Sequence, residues 1–131
     1  MGERGAVAQV LLVDDDPDFL EITRLVLTHH GIETLTASSR AQAMSILQQE
    51  HPDVILLDVM MTYTLDGMDM VAQIRRLPDF RNTPILVISS LSPSQAAEML
   101  PASSLQQIQG WLVKPVRLEE LAEKVRALCS G

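Results

Sequence analysis

Three unbroken aliphatic runs constrain this chain more than any other feature: Val-Leu-Leu-Val at 10–13, Val-Ile-Leu-Leu at 54–57 and Ile-Leu-Val-Ile at 85–88. A shorter run, Trp-Leu-Val, occupies 111–113, and a weaker stretch covers 33–37. The strong runs do not alternate with polar residues. A strand reads this way when both of its faces are covered, as in a parallel sheet between helices. Each run also ends abruptly in polar residues: Asp14, Asp15 and Asp16 after the first, Asp58 after the next, Ser89 and Ser90 after the third, Lys114 before Pro115 after the last.

The intervening segments carry helical spacing. Asp16 followed by Pro17 reads as an N-cap and a first helical residue, with Phe19, Ile22, Val26 and Leu27 on one face and a stop near Gly31. Ser39 and Gln42 form a capping box ahead of Ala43, Ile46 and Leu47. A third helix carries Met68, Val71 and Ile74 and ends before Pro78. A fourth starts near Ser94 and is broken at Pro101, which leaves it short or irregular. The last sets Leu118, Leu121, Val125 and Leu128 on one stripe. Strand and helix alternate five times, so the spacing predicts an α/β fold, a parallel sheet with helices on both faces. Right-handed crossovers leave few topologies for it.

A chain of 131 residues suits one domain, here 1–131 with a core of about 8–129. The sequence has no internal repeat, low-complexity stretch or linker, so any output domain is expected beyond it or not at all. With aromatics at 3% and hydrophobic residues at 47%, the core must be aliphatic. Asp and Glu number 17 against 10 Lys and Arg, a formal charge of −7 that repels a phosphate backbone and argues against direct nucleic-acid binding. One cysteine, Cys129, cannot close an internal disulfide and suits a reducing compartment. No run approaches the ~18 apolar residues of a membrane span, and the first run halts at three aspartates, unlike a signal peptide. A cytoplasmic protein without membrane attachment is the expectation.

In an open α/β sheet, ligands bind beyond the carboxyl ends of the strands. Carboxylates, a hydroxyl and an ammonium should therefore converge there. Clustered carboxylates repel, and Mg²⁺ relieves the repulsion by taking oxygen ligands. A carboxylate nucleophile with Mg²⁺, a hydroxyl and a lysine suits phosphoryl transfer, which needs positioning and charge neutralisation above all. Taken singly, each residue has a bland structural explanation. Acids favour helix starts, Lys114 precedes a turn proline, and Ser89 alone says little. His29, His30 and His51 lack metal-site spacing with a cysteine and read as structural or solvated. The weight lies in the combination.

That combination carries a resemblance. Leu-Leu-Val-Asp-Asp-Asp-Pro at 11–17, Leu-Leu-Asp-Val-Met-Met at 56–61, Asp66-Gly67, Pro-Ile-Leu-Val-Ile-Ser at 84–89 and Lys114-Pro115 resemble the response-regulator receiver family, in the family's order over nearly the whole chain. The resemblance implies a doubly wound, flavodoxin-like sheet of order 2-1-3-4-5. It implies Asp58 as phosphoacceptor, with Ser89 and Lys114 binding phosphoryl oxygens. Mg²⁺ would be held by Asp15, Asp58 and the backbone carbonyl of Met60, with Asp14 acting through a metal-bound water. Ser89 and Trp111 would form the switch pair, Trp111 replacing the family's usual Tyr, Phe or His. The Lys114-Pro115 bond would be cis. The implied partner is a histidine kinase or phosphotransfer protein bearing phosphohistidine. A further output domain and a homodimer formed on phosphorylation also belong to the family's repertoire.

Departures are visible too. Thr62 stands where the family has proline, the loop from Asp58 to Asp66 is one residue longer, and the stretch from Ser89 to Lys114 is extended and contains Pro101. The two positions that flank the attacking water in this family are Met60 and Leu91, whose side chains exclude water better than they orient it, so a long-lived phosphoform is expected. Two other functions compete. A haloacid-dehalogenase-like phosphatase would use Asp14, Asp16, Ser89 and Lys114 but leaves Asp58 without a role. A receiver-fold interaction module that is never phosphorylated would have no physical need of the uncompensated acids.

Overall fold

The aliphatic runs become neighbouring strands. The computed structural model describes residues 8–58, 66–99 and 102–130. In chain order its elements are β1 (Ala8–Val13), α1 (Pro17–His29), β2 (Ile32–Ala37), α2 (Arg40–Leu47), β3 (Val54–Asp58), α3 (Asp66–Arg76), a 3-10 turn (Pro78–Phe80), β4 (Ile85–Ser89), α4 (Pro93–Met99), α5 (Ala102–Leu105), β5 (Gly110–Val113) and α6 (Leu118–Ser130). The five strands are all parallel, in the order β2-β1-β3-β4-β5 expected of a flavodoxin-like sheet.

Alternation within each run explains why both faces are apolar. Leu11, Val13, Ile55 and Leu57 point to the side covered by α2 and α3. Val10, Leu12, Val54 and Leu56 point to the side covered by α1 and α6. All eight are at most 1% exposed, and each such side chain contributes about 1.5–3 kcal/mol on burial. The edge strand β2 has exposed Glu33 between buried Ile32 and half-buried Thr34, which is why its sequence signal is weak. At Gly110, which opens β5, a Cβ would lie 2.7 Å from Leu86 Cδ1 on β4, so a larger residue would have to displace that methyl group. Gly31 ends α1 at φ 79°, a conformation glycine adopts without steric penalty.

The helices follow their signals with instructive exceptions. Asp16 caps α1, its side chain accepting from the N–H of Asp18 at 3.0 Å. The buried stripe of α1 runs through Thr23 and Leu27, while Ile22, expected inside, is 50% exposed. Ser39 caps α2 through the N–H of Gln42, but Gln42 Oε1 returns to the N–H of Ser38 rather than Ser39. The helix expected near Ser94 begins at Pro93. It is capped by Ser92, whose hydroxyl accepts from the N–H of Gln95 while Gln95 Oε1 accepts from the N–H of Ser92. The short helix α5 follows at Ala102; Pro101 itself lies outside the described residues. No helix among the described residues is long and apolar enough to cross a membrane.

Arg75 fastens the opposite edge of the sheet. Its guanidinium donates to the carbonyls of Phe80 and Thr83 at 2.7 Å each, to that of Gln107 at 2.8 Å and to Gln109 Oε1 at 2.9 Å. Gln109 Oε1 also accepts from the N–H of Ile85. One planar fork thus ties the end of α3 to the entries of β4 and β5.

Candidate functional site

Because the strands are parallel, their carboxyl ends share one edge. Asp14 follows β1, Asp58 ends β3, Ser89 ends β4 and Lys114 follows β5. Backbone bonds fix two of these positions. The N–H of Asp14 donates to the carbonyl of Ala37 at 3.1 Å, and the N–H of Lys114 donates to the carbonyl of Ser89 at 2.8 Å. The Lys114–Pro115 bond is cis.

The side chains meet. Lys114 Nζ lies 2.9 Å from Asp14 Oδ2 and 3.4 Å from Asp58 Oδ2. Asp14 and Asp58 are buried at 1% and 6% exposure, while Asp15 is exposed at the rim. Each of the three acids offers a carboxylate oxygen within 4.8 Å of the others. Asp16, next in sequence, stays out of this group as the cap of α1.

The electrostatics are unbalanced. Burial pushes the Asp14 carboxyl above the usual carboxylate range. The hydrogen bonds from Lys114 and from the N–H of Asp16 oppose that rise, and the charge of Asp58 adds to it. Burial pulls the Lys114 ammonium down, but the hydrogen bond to Asp14 and the charge of Asp58 outweigh it, so its pKa is raised. Among the described residues, Lys114 pairs with two of the three clustered acids. An all-oxygen set of this kind fits a hard divalent cation. Met60 and Thr62 lie outside the described residues.

Ser89 is fully buried, and its Oγ accepts from the N–H of Leu91 at 3.0 Å. The carbonyl of Leu91 in turn accepts from Trp111 Nε1–H at 2.8 Å. Ser89 and Trp111 are therefore joined through the main chain of one residue. Trp111 is half-buried against the α2/α3 side of the sheet. The sequence pattern gave no sign of this link, because backbone groups carry it. It also missed Phe19 as a site residue: the ring centroid is 4.5 Å from Lys114 Nζ. The available signal was the position of Phe19 on the first turn of the helix that Asp16 caps.

Comparison with known proteins decides the family. Residues 10–126 match the response regulator receiver domain family. The chain belongs to that family. Response regulator MprA of Mycobacterium leprae is 35% identical over 121 residues, 92% of this chain and 50% of that protein. An uncharacterized 14.6 kDa protein encoded in the sodA1 3' region of Leptolyngbya boryana is 28% identical over 124 residues, 95% of this chain and 92% of its own. The solved structure of chemotaxis response regulator CheY4 of Vibrio cholerae superimposes with a TM-score of 0.82 at 28% identity, covering 94% of this chain and 99% of that one. The receiver domain thus spans about half the length of the mycobacterial relatives. It is a receiver module of two-component signal transduction.

Proposed function

We propose that this receiver domain accepts a phosphoryl group on Asp58 from the phosphohistidine of a histidine kinase or phosphotransfer protein, in a reaction that needs Mg²⁺. The observation that carries the reading is a buried Asp58 beside two further acids and within 3.4 Å of the Lys114 ammonium. An oxygen of Asp58 attacks phosphorus in line with the P–N bond. The P–O bond forms as the P–N bond breaks, and the imidazole leaves with the electron pair and takes a proton. Asp15, Asp58 and the carbonyl of Met60 would hold Mg²⁺, with Asp14 reaching it through water. When bound, the ion supplies the charge that neutralises acids and phosphoryl oxygens together. Lys114 exchanges Asp58 for a phosphoryl oxygen, and Ser89 donates its hydroxyl proton to another.

Ser89 accepts from Leu91 in the resting state. Turning its hydroxyl to the phosphoryl group disturbs that bond, and Leu91 carries the disturbance to Trp111. We read this as the switch, with an output domain, a partner or a second copy of the chain as its receiver and the cytoplasm as its location. No direct contact with nucleic acid is proposed, given the charge of −7. The phosphatase alternative needs the Asp16 carboxylate in catalysis, where it instead caps α1. Trp111 is the chain's one tryptophan, so its emission reports the loop. Mg²⁺ with acetyl phosphate is expected to change that emission in the parent and leave it unchanged in Asp58→Asn. An unchanged emission in a phosphorylated parent would remove Trp111 from the switch.

The phosphoform is expected to be long-lived. Exchanging Met60 for Asn and Leu91 for Glu offers polar groups to an attacking water, and shortens the half-life by about tenfold or more. Decay of the phosphoprotein followed by intact mass checks this, and an unchanged half-life sinks the argument.

A further inference from the structure

We propose that Phe19 is a positioning residue for Lys114, its ring face holding the ammonium at the site when the carboxylates turn to the metal. The inference rests on the phosphoacceptor reading above. Lys114 Nζ is gripped by Asp14 at 2.9 Å, by Asp58 at 3.4 Å and by the Phe19 ring at 4.5 Å from its centroid. The first two partners are also the groups that a cation draws on. Once that charge is shared with a metal, both carboxylates attract the lysine less. The ring is the one partner of the three that no metal competes for, and it offers no oxygen that would bind the ammonium in place of a phosphoryl oxygen. It can keep the ammonium near the strand ends while the N–H groups turned away from the ring stay free.

The surroundings give that contact leverage. Phe19 lies in the first turn of α1, whose start is fixed by Asp16 and Pro17. Together with Ile22, Lys114, Pro115 and Val116 it lines a cavity of about 460 Å³ next to the site. The lining includes Lys114 and not Asp58, so the cavity gives the ammonium room apart from the phosphoacceptor. Phe19 also packs against the α1/α6 side of the core, so the competing explanation is packing alone. A leucine at this position keeps apolar contact but removes the ring face, and a tyrosine keeps both.

The test measures the rate of phosphorylation by acetyl phosphate with Mg²⁺ in the parent, Phe19→Leu and Phe19→Tyr. Urea unfolding of the metal-free parent, Phe19→Leu, Lys114→Met and the double variant completes it. Phe19→Leu is expected to slow phosphorylation by about fivefold, the worth of one partly desolvated cation–π contact, with Phe19→Tyr within about twofold of the parent. The two substitutions should be coupled by a similar factor in the folding equilibrium constant, because the leucine has no ring for the ammonium to lose. An unslowed Phe19→Leu, or strictly additive effects on stability, overturns the role of Phe19 and leaves the phosphoacceptor reading intact. A folded parent that takes up no phosphoryl group overturns both.

Discussion

Replacing Lys114 by methionine is expected to destabilise the metal-free protein by about 2 kcal/mol at neutral pH and to slow phosphorylation of Asp58 by ~100-fold or more. The methionine preserves much of the aliphatic stem, so the change isolates the charge. It strands Asp14 and Asp58, which are 1% and 6% exposed, without their shared cation. Breaking a buried pair costs about 3–5 kcal/mol; the lower figure here reflects a Lys114 side chain that is 26% exposed. The loss depends on pH in a definite direction. Asp14 already has a raised pKa in the folded state, because burial outweighs the hydrogen bond that Lys114 donates. Without that bond the value rises further. A carboxyl whose folded pKa exceeds its unfolded one binds more protons when folded, so stability falls as pH rises from the ordinary carboxylate range through the raised value. The gap between parent and variant should therefore be full at neutral pH and narrow as acid protonates Asp14. The lysine works in the opposite range: its own raised pKa stabilises the parent at and below the ordinary lysine value, and that share disappears as the ammonium deprotonates in strong base. Urea unfolding across pH measures this, and a gap of equal size at acid and neutral pH contradicts it.

Magnesium should invert the stability order of parent and Asp58→Asn. Among the described residues, Asp14, Asp15 and Asp58 cluster at this edge, and Lys114 pairs with Asp14 and Asp58. Neutralising one of them relieves repulsion on Asp14, to which the charge of Asp58 contributes. Asp58→Asn is thus expected to be about 1 kcal/mol more stable than the parent without metal, the loss of a 3.4 Å contact to Lys114 being the smaller effect. At Mg²⁺ about a hundred times its dissociation constant, the parent should gain ~2.7 kcal/mol. The variant, lacking one carboxylate ligand, should gain little at the same concentration. Thermal melts of both proteins with and without Mg²⁺ read the inversion. Parallel shifts in the two proteins would mean that the ion binds elsewhere.

The parts of this fold that could be read directly are those in which a side chain's chemistry and its place in the chain say the same thing. The runs at 10–13, 54–57 and 85–88 had to be covered on both faces, and the residues that end them had to share an edge once the strands were parallel. Asp14, Asp58, Ser89 and Lys114 were found by that logic alone. What stayed hidden depends on groups that every residue has. Arg75 donates to three backbone carbonyls, and Trp111 reaches Ser89 through the main chain of Leu91. The face of α1 was misjudged at Ile22 because helical spacing admits several stripes. Packing against the sheet chose the one through Thr23 and Leu27, leaving Ile22 on the rim of the cavity beside Phe19. Gln42 shows a smaller version of the same limit: its capping role was legible, and its partner at Ser38 was set by the local turn.

The central claim is that Asp58 takes a phosphoryl group in this arrangement of acids and lysine. Intact mass after incubation with Mg²⁺ and acetyl phosphate tests it most directly, with Asp58→Asn alongside. The expected result is one added phosphoryl group on the parent and none on the variant. A folded parent that gains none with Mg²⁺ present would contradict it, and would leave a receiver fold that acts by binding alone.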